Sequence, residues 1–302
     1  MIQRSAILEQ AYSFCGNVTK RYAKNFYYAF RTLPHDKRQA IYTVYAFCRY
    51  CDDLADNIQP VEDRDRKLYQ IRREIQNIYE SESDSPILIA LADTSRKFGI
   101  PNSYFLELVD GMLLDVHFKR INSFKELYNY CYKVSSIVGL ICIEIFGYNS
   151  QEAKQYAIDL GIAMQLTNIL RDVKEDSKLN RIYLPYEEIR EYGYSDKALM
   201  SCEKSNSFNR LMNFQVERAK GYFNNAVSLI PLLSPETRPC VSVLYEIYRA
   251  ILDRIEKSGY NVFDERISLT TMEKILLTCK IWAYFKLHNY SNNFKKKMRR
   301  DT

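Results

Sequence analysis

The sequence predicts an all-α protein, and three observations carry that prediction. Its 302 residues include only 9 Gly and 8 Pro, which leaves little material for the tight turns that many short strands need. Apolar residues recur at the i, i+3, i+4, i+7 spacing of a helix, and no segment shows the alternation typical of a half-buried strand. Apolar residues make up 47% of the chain and charged residues 26%, which is the balance of a folded globular protein.

Short stretches rich in Gly, Pro, Ser and Asn are predicted to interrupt the helices. They are residues 59–63, 81–86, 99–103, 146–150, 177–185 and 234–239. The segments between them, of roughly 15 to 30 residues, suit helices. No internal repeat and no flexible linker divides the chain, so residues 1–302 are predicted to form a single helical domain.

The distribution of charged residues indicates which kinds of partner the protein can bind. The formal net charge of +6 suits anionic substrates, and no nucleic-acid partner is expected because most Lys and Arg are interleaved with Asp and Glu. The exception is a basic cluster at the C-terminus, formed by Lys295, Lys296, Lys297, Arg299 and Arg300. A solvated helix end explains this cluster, and a weak peripheral hold on an anionic membrane surface is the alternative. The oligomeric state is left open.

Cysteine content and leader sequence predict a cytoplasmic location, with membrane association as the open alternative. The chain has 8 Cys and no apolar leader, so reduced and mostly buried thiols are expected. Cys48 and Cys51 form a C-x-x-C pair, but without a second pair or a nearby His a zinc or redox site is disfavoured. The longest apolar run, residues 137–143, is too short to span a bilayer and precedes Glu144, so no transmembrane segment is predicted.

The segment YAFCRYCDDLAD, residues 45–56, carries the first chemical signal. On a helix, Tyr45, Arg49, Asp52 and Asp56 share one face, and Asp53 lies alongside. Carboxylates one turn apart repel each other by a few tenths of a kcal/mol. A cation held between them would explain why the helix tolerates this arrangement.

A second polar stripe lies in LGIAMQLTNILRDVKED, residues 160–176. Gln165, Asn168, Asp172 and Asp176 fall on one helical face, and the other faces are almost entirely apolar. A helix that is apolar on most sides is buried, so its polar stripe must line a cavity or be satisfied within the core.

The two stripes together predict a metal site. A single D-x-x-x-D is usually a solvated helix face, but two of them with Arg or amide companions, one in apolar surroundings, favour a functional site. Oxygen ligands without His or Cys indicate Mg²⁺, which binds a few carboxylates together with substrate phosphates. We therefore expect two acidic clusters across an apolar cavity, where Mg²⁺ would hold a diphosphate and the apolar walls would accept a long hydrocarbon.

The chain resembles the squalene and phytoene synthase family over essentially its full length. Four segments carry the resemblance: residues 23–34 (AKNFYYAFRTLP), 45–56, 130–140 (YCYKVSSIVGL) and 163–185 (AMQLTNILRDVKEDSKLNRIYLP). Residues 137–148 (IVGLICIEIFGY) are most similar to bacterial presqualene diphosphate synthases of hopanoid pathways, with phytoene synthases next.

The resemblance implies the isoprenoid synthase fold, with helices packed around a central apolar cavity, and a role for each matching position. Metal binding is implied for Asp52, Asp53, Asp56, Asn168, Asp172 and Asp176. Substrate binding is implied for Asn25, Arg49, Gln165, Asn168, Arg171, Arg181 and Arg266. Catalytic roles are implied for Arg49, Arg171 and the cavity-lining tyrosines Tyr45, Tyr130, Tyr183 and Tyr248. The chain departs from many relatives at Ala23, where they have Ser, and at Asn25, where they have Ser or Thr.

The implied activity is the Mg²⁺-dependent head-to-head condensation of two isoprenoid diphosphates, with two or three Mg²⁺ ions and Mn²⁺ as a substitute. The first expectation is farnesyl diphosphate as substrate and presqualene diphosphate or a squalene-type product. The alternatives are a phytoene synthase that joins two geranylgeranyl diphosphates and a dehydrosqualene synthase. NADPH is not expected for the first half-reaction, and no G-x-G-x-x-G fingerprint follows a strand.

Two other readings compete with this one. A head-to-tail elongase or terpene cyclase shares the metal chemistry, but the second cluster here reads D-V-K-E-D rather than D-D-x-x-D. A catalytically inactive scaffold protein would be expected to have lost aspartates that this chain keeps. Within the main reading, Phe26, Phe30 and Ile145 are the candidates for the residue that limits substrate length.

Overall fold

Helices make up almost the whole of the described structure. It is a computed structural model that describes residues 2–23, 26–55, 60–78 and 83–298. Side chains are described from residue 6 to residue 287. The α-helices are α1 (Ile2–Tyr22), α2 (Tyr27–Phe30), α3 (His35–Ala55), α4 (Val61–Gln76), α5 (Pro86–Phe98), α6 (Asn102–Val116), α7 (Phe124–Cys131), α8 (Ile137–Phe146), α9 (Glu152–Arg171), α10 (Val173–Lys178), α11 (Tyr186–Glu191), α12 (Asp196–Met200), α13 (Asn206–Ala226), α14 (Leu229–Leu232), α15 (Arg238–Lys257) and α16 (Thr271–Met298). In the described ranges the one β-type pairing is an isolated bridge between Tyr148 and Leu233. The all-α prediction is confirmed.

Each predicted break contains a helix boundary in the described residues. For example, α5 ends at Phe98 and is followed by Gly99, whose φ of 63° is the left-handed conformation that glycine adopts without strain. Other connections, including residues 201–205 and 258–270, were not predicted from the sequence. In the first of these, Cys202 takes a positive φ and the segment has no glycine, so this turn lacks the usual signal in the sequence. In the second, Gly259 and Tyr260 both take a positive φ.

Helix α9 lies at the centre of the structure. It packs against α8, α13 and α15, while α3 packs against α1, α5, α6 and α8. Leu160, Ile162, Leu166, Ile169 and Leu170 of α9 are all buried, as the apolar sequence around its polar stripe predicts. The buried residues form one hydrophobic cluster that extends from Ala11 to Leu269.

The helical stretch Phe124–Phe146 combines α7, a π-helical turn (Tyr132–Ser136) and α8. By length and composition it could cross a membrane, but half of its apolar window is buried inside the protein. It packs against α6 and α9, and the Ser136 hydroxyl donates to the Ile158 carbonyl of α9 at 2.9 Å. These contacts are typical of a core helix.

Close backbone contact between the π-helical turn and α9 depends on glycine. A Cβ atom at Gly161 would lie 2.5 Å from Ser136 Cα and 2.7 Å from Ser136 N. These distances are shorter than van der Waals contact, and both neighbouring atoms belong to the backbone, which cannot rotate away. Position 161 therefore has to be glycine for the two segments to pack as they do.

We expect Gly161→Ala to lower the free energy of unfolding by about 1–3 kcal/mol, since overpacking outweighs the better helix propensity of Ala. The matched control is Gly221→Ala on α13, where an added Cβ meets no atom within 4 Å. That substitution should stabilise the protein by about 0.5–1 kcal/mol. Urea unfolding measures both variants, and equal effects at the two positions would contradict the argument.

Candidate active site

An apolar cavity of about 300 Å³ lies between α2, α3, α8, α9 and α15. Its walls include Ile41, Val44 and Cys48 of α3. The wall formed by the π-helical turn, α8 and α9 has small or aliphatic side chains: Val134, Ser135, Val138, Gly139, Cys142, Ile143, Ala157, Leu160, Gly161 and Met164. A cavity of this composition suits an unbranched or methyl-branched hydrocarbon chain.

One wall of the cavity is aromatic. Phe26 stacks on Phe30 and on Tyr248, with ring centroids 6.0 Å and 5.9 Å apart, and its ring lies 6.1 Å from that of Tyr45. Phe26, Phe30, Tyr45 and Tyr248 all line the cavity. Of the three residues proposed to limit substrate length, Phe26 and Phe30 therefore lie on its wall. The third, Ile145, is buried elsewhere in the core, and Ile143 and Phe146 line the cavity instead.

The first acidic motif reaches the cavity through Asp52, which lines it together with Gln165 and Asn168. Asp53 lies on the outer side of α3, where its half-exposed carboxylate accepts a hydrogen bond from Arg49. Asp52 and Asp53 therefore differ in environment although they are neighbours in sequence. Asp56 and Asn25, which were also predicted to contribute, lie outside the described residues.

The second acidic motif begins where α9 ends. The predicted continuous helix is divided at Asp172, whose φ of −101° and ψ of 16° separate α9 from α10. Arg171 Nε donates to Asp172 Oδ1 at 2.9 Å, and Arg266 Nε donates to the same oxygen at 2.7 Å. Burial alone would raise the pKa of Asp172, but these two guanidinium groups outweigh it and lower the pKa. Both predicted arginines thus lie beside the motif.

Asp176 has the opposite electrostatic environment. Burial, and then the negative charges of Asp172 and Asp115, raise its pKa to about 7, although Arg181 partly offsets this effect. A carboxylate placed at this position favours a nearby cation.

A buried amide oxygen on the same polar stripe points to a cation as well. Asn168 Nδ2 donates to Gln165 Oε1 at 3.3 Å, while Asn168 Oδ1 is buried and has no hydrogen-bond partner in the described structure. Such an atom costs free energy unless a ligand satisfies it.

Asp115 of α6 was missed by the sequence analysis and organises the remaining predicted residues. It accepts hydrogen bonds from the hydroxyls of Tyr130 and Tyr183, each at 3.0 Å, and Arg181 Nη2 donates to its backbone carbonyl at 3.2 Å. Tyr130 and Tyr183 were predicted to line the apolar cavity, as Tyr45 and Tyr248 do. They are instead buried at Asp115, because their hydroxyls find a hydrogen-bond acceptor there.

A polar pocket of about 510 Å³ lies on this side of the protein, lined by Asp115, Arg181 and Arg64 among others. Arg64 Nη1 donates to the carbonyl of Ala55 at 2.7 Å, whereas its buried Nε has no partner in the described structure. Neither Asp115 nor Arg64 belongs to a recognisable motif. The only signal for Asp115 in the sequence is a carboxylate inside the apolar run LVDGMLLDV, residues 108–116.

The donor set fits a hard cation. In the described ranges no three Asp, Glu, His or Cys side chains converge to form a complete metal site. The available donors are oxygens: the Asp176 carboxylate, the unpartnered Asn168 Oδ1 and the carboxylate of Asp52 on the facing helix. Mg²⁺ suits such a partial set, because it retains water and takes further oxygens from a bound diphosphate.

Comparison with known proteins agrees with this geometry. Residues 19–273 match the family model of squalene/phytoene synthase. A 15-cis-phytoene synthase from Synechococcus elongatus is 36% identical over 89% of this chain and 92% of its own length. A crystal structure of a dehydrosqualene synthase has a TM-score of 0.85 and 30% identity, covering 92% of this chain and 98% of that one. A squalene synthase from Alicyclobacillus acidocaldarius has a TM-score of 0.79 and 26% identity, over 84% and 96% of the two chains.

An all-α fold around an apolar cavity, with acidic and basic side chains beside it, suits a prenyltransferase. The chain belongs to the squalene/phytoene synthase family, and its activity is the head-to-head condensation of isoprenoid diphosphates.

The raised pKa of Asp176 has a consequence for stability in metal-free protein. Between about pH 4 and pH 7 the folded state keeps a proton that the unfolded chain has lost, so the free energy of unfolding falls as pH rises through this window. Asp176→Asn removes this titration. In EDTA we expect the variant to be more stable than the parent chain near pH 8, by on the order of 1–3 kcal/mol, and nearly equal to it near pH 4.

The control variant, Asp172→Asn, should change the stability in the opposite direction. Asp172 has a lowered pKa because two arginines pair with it, so Asp172→Asn should destabilise the protein near pH 8. Chemical denaturation across the pH range measures both variants. A stability difference between Asp176→Asn and the parent chain that does not change with pH would show that Asp176 is ionised throughout.

Proposed function

We propose that this enzyme joins two geranylgeranyl diphosphates to form phytoene, using Mg²⁺ bound at the two acidic motifs. The structural observation that carries the proposal is the presence of Asp52, Gln165 and Asn168 at one apolar cavity. This arrangement suits a substrate with a charged head and a long hydrocarbon tail. The C20 substrate is favoured over the first expectation, farnesyl diphosphate, because the 36%-identical relative from Synechococcus elongatus is a phytoene synthase.

The roles proposed for individual residues follow their positions. Asp52, Asp172 and Asp176, with Asn168, would hold Mg²⁺, and Asp56 and Asn25 would complete the metal and substrate contacts. Asp53 is the exception, because its carboxylate pairs with Arg49 on the outer side of α3. We therefore assign Asp53 to the positioning of Arg49. When bound, Mg²⁺ would act as a Lewis acid that stabilises negative charge on the departing diphosphate.

The basic residues would act on the leaving group. Arg171 is buried and Arg266 half-exposed, and both pair with Asp172 close to the cavity residue Tyr248. Ionisation of an allylic diphosphate breaks the C–O bond, so the electron pair stays with the diphosphate and a carbocation remains. Preorganised guanidinium groups stabilise this developing charge without reorganisation of solvent. Arg181, fixed at the Asp115 carbonyl, is placed to bind the same anion or that of the second substrate.

The cavity walls would protect the carbocation. Aromatic faces attract a cation by about 1–2 kcal/mol each, and Tyr45 and Tyr248 lie closest to the polar stripe. Burial raises the pKa of Tyr45 to about 12, so its hydroxyl stays protonated and does not act as a nucleophile. The apolar surroundings exclude water, which would otherwise trap the cation as an alcohol.

The reaction is balanced without a reductant. The double bond of the second substrate attacks the cation, a proton is lost, and a cyclopropyl diphosphate forms with release of one diphosphate. Ionisation of this intermediate releases the second diphosphate, and rearrangement with loss of a proton gives the hydrocarbon. NADPH would be needed only for a squalene-type product. Dehydrosqualene formation follows the same steps with C15 substrates, and the likeness to a dehydrosqualene synthase structure keeps it as the second candidate.

Asp52 and Asp53 offer a matched pair for testing the metal site. Asp52→Asn should lower kcat/KM by about 10²–10³-fold and raise the Mg²⁺ concentration needed for half-maximal rate, since it removes a carboxylate at the cavity. Asp53→Asn should lower kcat/KM by no more than about tenfold, because it only releases Arg49. Steady-state assays over a Mg²⁺ titration measure both. Equal losses in the two variants would contradict the assignment of Asp52 alone to the cavity.

Substrate choice is tested by competition. With equal concentrations of farnesyl and geranylgeranyl diphosphate and excess Mg²⁺, we expect C40 products to exceed C30 products by about tenfold or more, because each methylene in an apolar site contributes about 1 kcal/mol. Product identification by mass spectrometry gives the ratio. If presqualene diphosphate or dehydrosqualene predominates, the enzyme is a C15 synthase and the proposed substrate is wrong.

A further inference from the structure

The apolar cavity has a direction, which the packing of α8 on α9 defines. The two segments run antiparallel, because a Cβ atom at Gly139 would lie 2.9 Å from the Ala157 carbonyl oxygen, and one at Gly161 would lie 2.5 Å from Ser136 Cα. Residues later in α8 therefore lie beside residues earlier in α9. Asn168, near the end of α9, lies at one end of the cavity, so the last turn of α8 lies at the other.

Helix α3 follows the same direction. Its Asp52 lies at the cavity with the polar stripe, whereas Ile41 lines the cavity three helical turns earlier, roughly 16 Å away along the helix axis. One turn before Ile41, the Nζ atom of Lys37 donates to the carbonyl of Phe146, the last residue of α8, at 2.7 Å. The start of α3 and the end of α8 thus meet at the end of the cavity that is remote from the charged groups.

The ring of Phe146 is placed to close this end. It lines the cavity, and the residue is only 2% exposed. Helix α8 ends at this residue, and the backbone N–H of Ser234 donates to the carbonyl of Gly147 at 2.9 Å. Phe146 is therefore the last side chain that α8 contributes to the cavity wall.

The two aromatic residues that the sequence suggested as length limits lie nearer to the charged end. Phe26 stacks on Tyr248, with ring centroids 5.9 Å apart, and Tyr248 lies near Asp172 of the second acidic motif. The ring of Phe30 lies 6.4 Å from that of Tyr45, which is part of the first motif's helical face. A hydrocarbon tail that starts at the polar stripe would pass these rings before it reached Phe146.

Charged groups outside the cavity hold the backbone of Phe146 in place. The last carbonyls of a helix have no partner within the helix, and Lys37 supplies one here. The same ammonium pairs with Glu236 at 2.7 Å, and the Lys37 side chain is only 20% exposed. Hydrogen bonds from a charged donor are stronger than those between neutral groups. The end of α8 is therefore tied to α3 and to the segment that precedes α15.

We propose that Phe146 is the floor of the cavity and limits the length of the hydrocarbon chain, and that Lys37 is a positioning residue for this floor. The proposal rests on the proposed function in one respect, which is that the cavity binds an isoprenoid tail. A bulky side chain at the floor excludes a longer tail, because steric overlap in a packed site opposes the gain from each added methylene.

The test measures kcat/KM separately for isoprenoid diphosphates with C15, C20 and C25 chains. Phe146→Ala should raise the ratio of kcat/KM for the next longer chain to that for the preferred chain by about tenfold or more relative to the parent enzyme. Phe146→Leu removes less volume and should shift the ratio in the same direction by less, which keeps the test usable if the Ala variant unfolds. The preferred chain is whichever the parent enzyme turns over best, so a wrong assignment of the C20 substrate would not affect the comparison.

Ile145→Ala is the matched control. Ile145 is the adjacent residue and is 1% exposed, but it does not line the cavity. Its truncation therefore removes buried volume at the same end of α8 without lengthening the cavity. We expect the ratio for this variant to match that of the parent enzyme, and circular dichroism checks that each variant is folded.

The role of Lys37 is tested with the same ratio. Lys37→Met frees the backbone at the end of α8 and should raise the ratio by about threefold, whereas Lys37→Arg retains a charged donor and should return it to the parent value. A loss of stability alone would lower the rates with all chain lengths together and leave the ratio unchanged.

Two results would overturn the assignment of the floor: an unchanged ratio in folded Phe146→Ala, and an equal rise in the ratio for Ile145→Ala. The positioning role of Lys37 would be wrong if Lys37→Met kept the parent ratio, or if Lys37→Arg raised the ratio as much as Lys37→Met.

Discussion

The structure depends on how negative charge is compensated at the edge of an apolar cavity. A carboxylate at such a position loses solvation, and this cost must be met by hydrogen bonds and opposite charges. Asp172 meets it within the protein, through Arg171 and Arg266. Because Arg171 belongs to α9 and Arg266 to the segment between α15 and α16, this one carboxylate joins the centre of the fold to its C-terminal part.

Asp115 and Asp176 also lose solvation, but their surroundings differ from those of Asp172. The Asp115 carboxylate accepts hydrogen bonds from two tyrosine hydroxyls, and its negative charge acts on Asp176. Burial raises the pKa of Asp176, and the negative charges of Asp172 and Asp115 raise it further. Two arginines outweigh burial at Asp172, whereas Arg181 only partly offsets burial and the neighbouring negative charges at Asp176. This difference favours a nearby cation at Asp176.

The sequence predicted the features that depend on local periodicity. The buried character of α9 follows from the apolar residues on most of its faces, and the structure agrees with this prediction. Features that depend on distant contacts were not predictable in this way. Asp115 meets Tyr130 and Tyr183 across 15 and 68 positions of sequence, and no local pattern marks such a meeting. For the same reason the family resemblance, which implied that Tyr130 and Tyr183 line the cavity, did not show that their hydroxyls bind Asp115.

The cavity answers a second constraint, which the substrate imposes. The carbocation of the proposed reaction has to be kept from water, which would trap it as an alcohol. The cavity wall on α8 and α9 carries small or aliphatic side chains, which exclude water without offering a nucleophile. The rings of Phe26, Tyr45 and Tyr248 add faces that attract a positive charge. Because charge is needed only where the diphosphates bind, the charged and amide side chains that line the cavity are few: Asp52, Gln165 and Asn168.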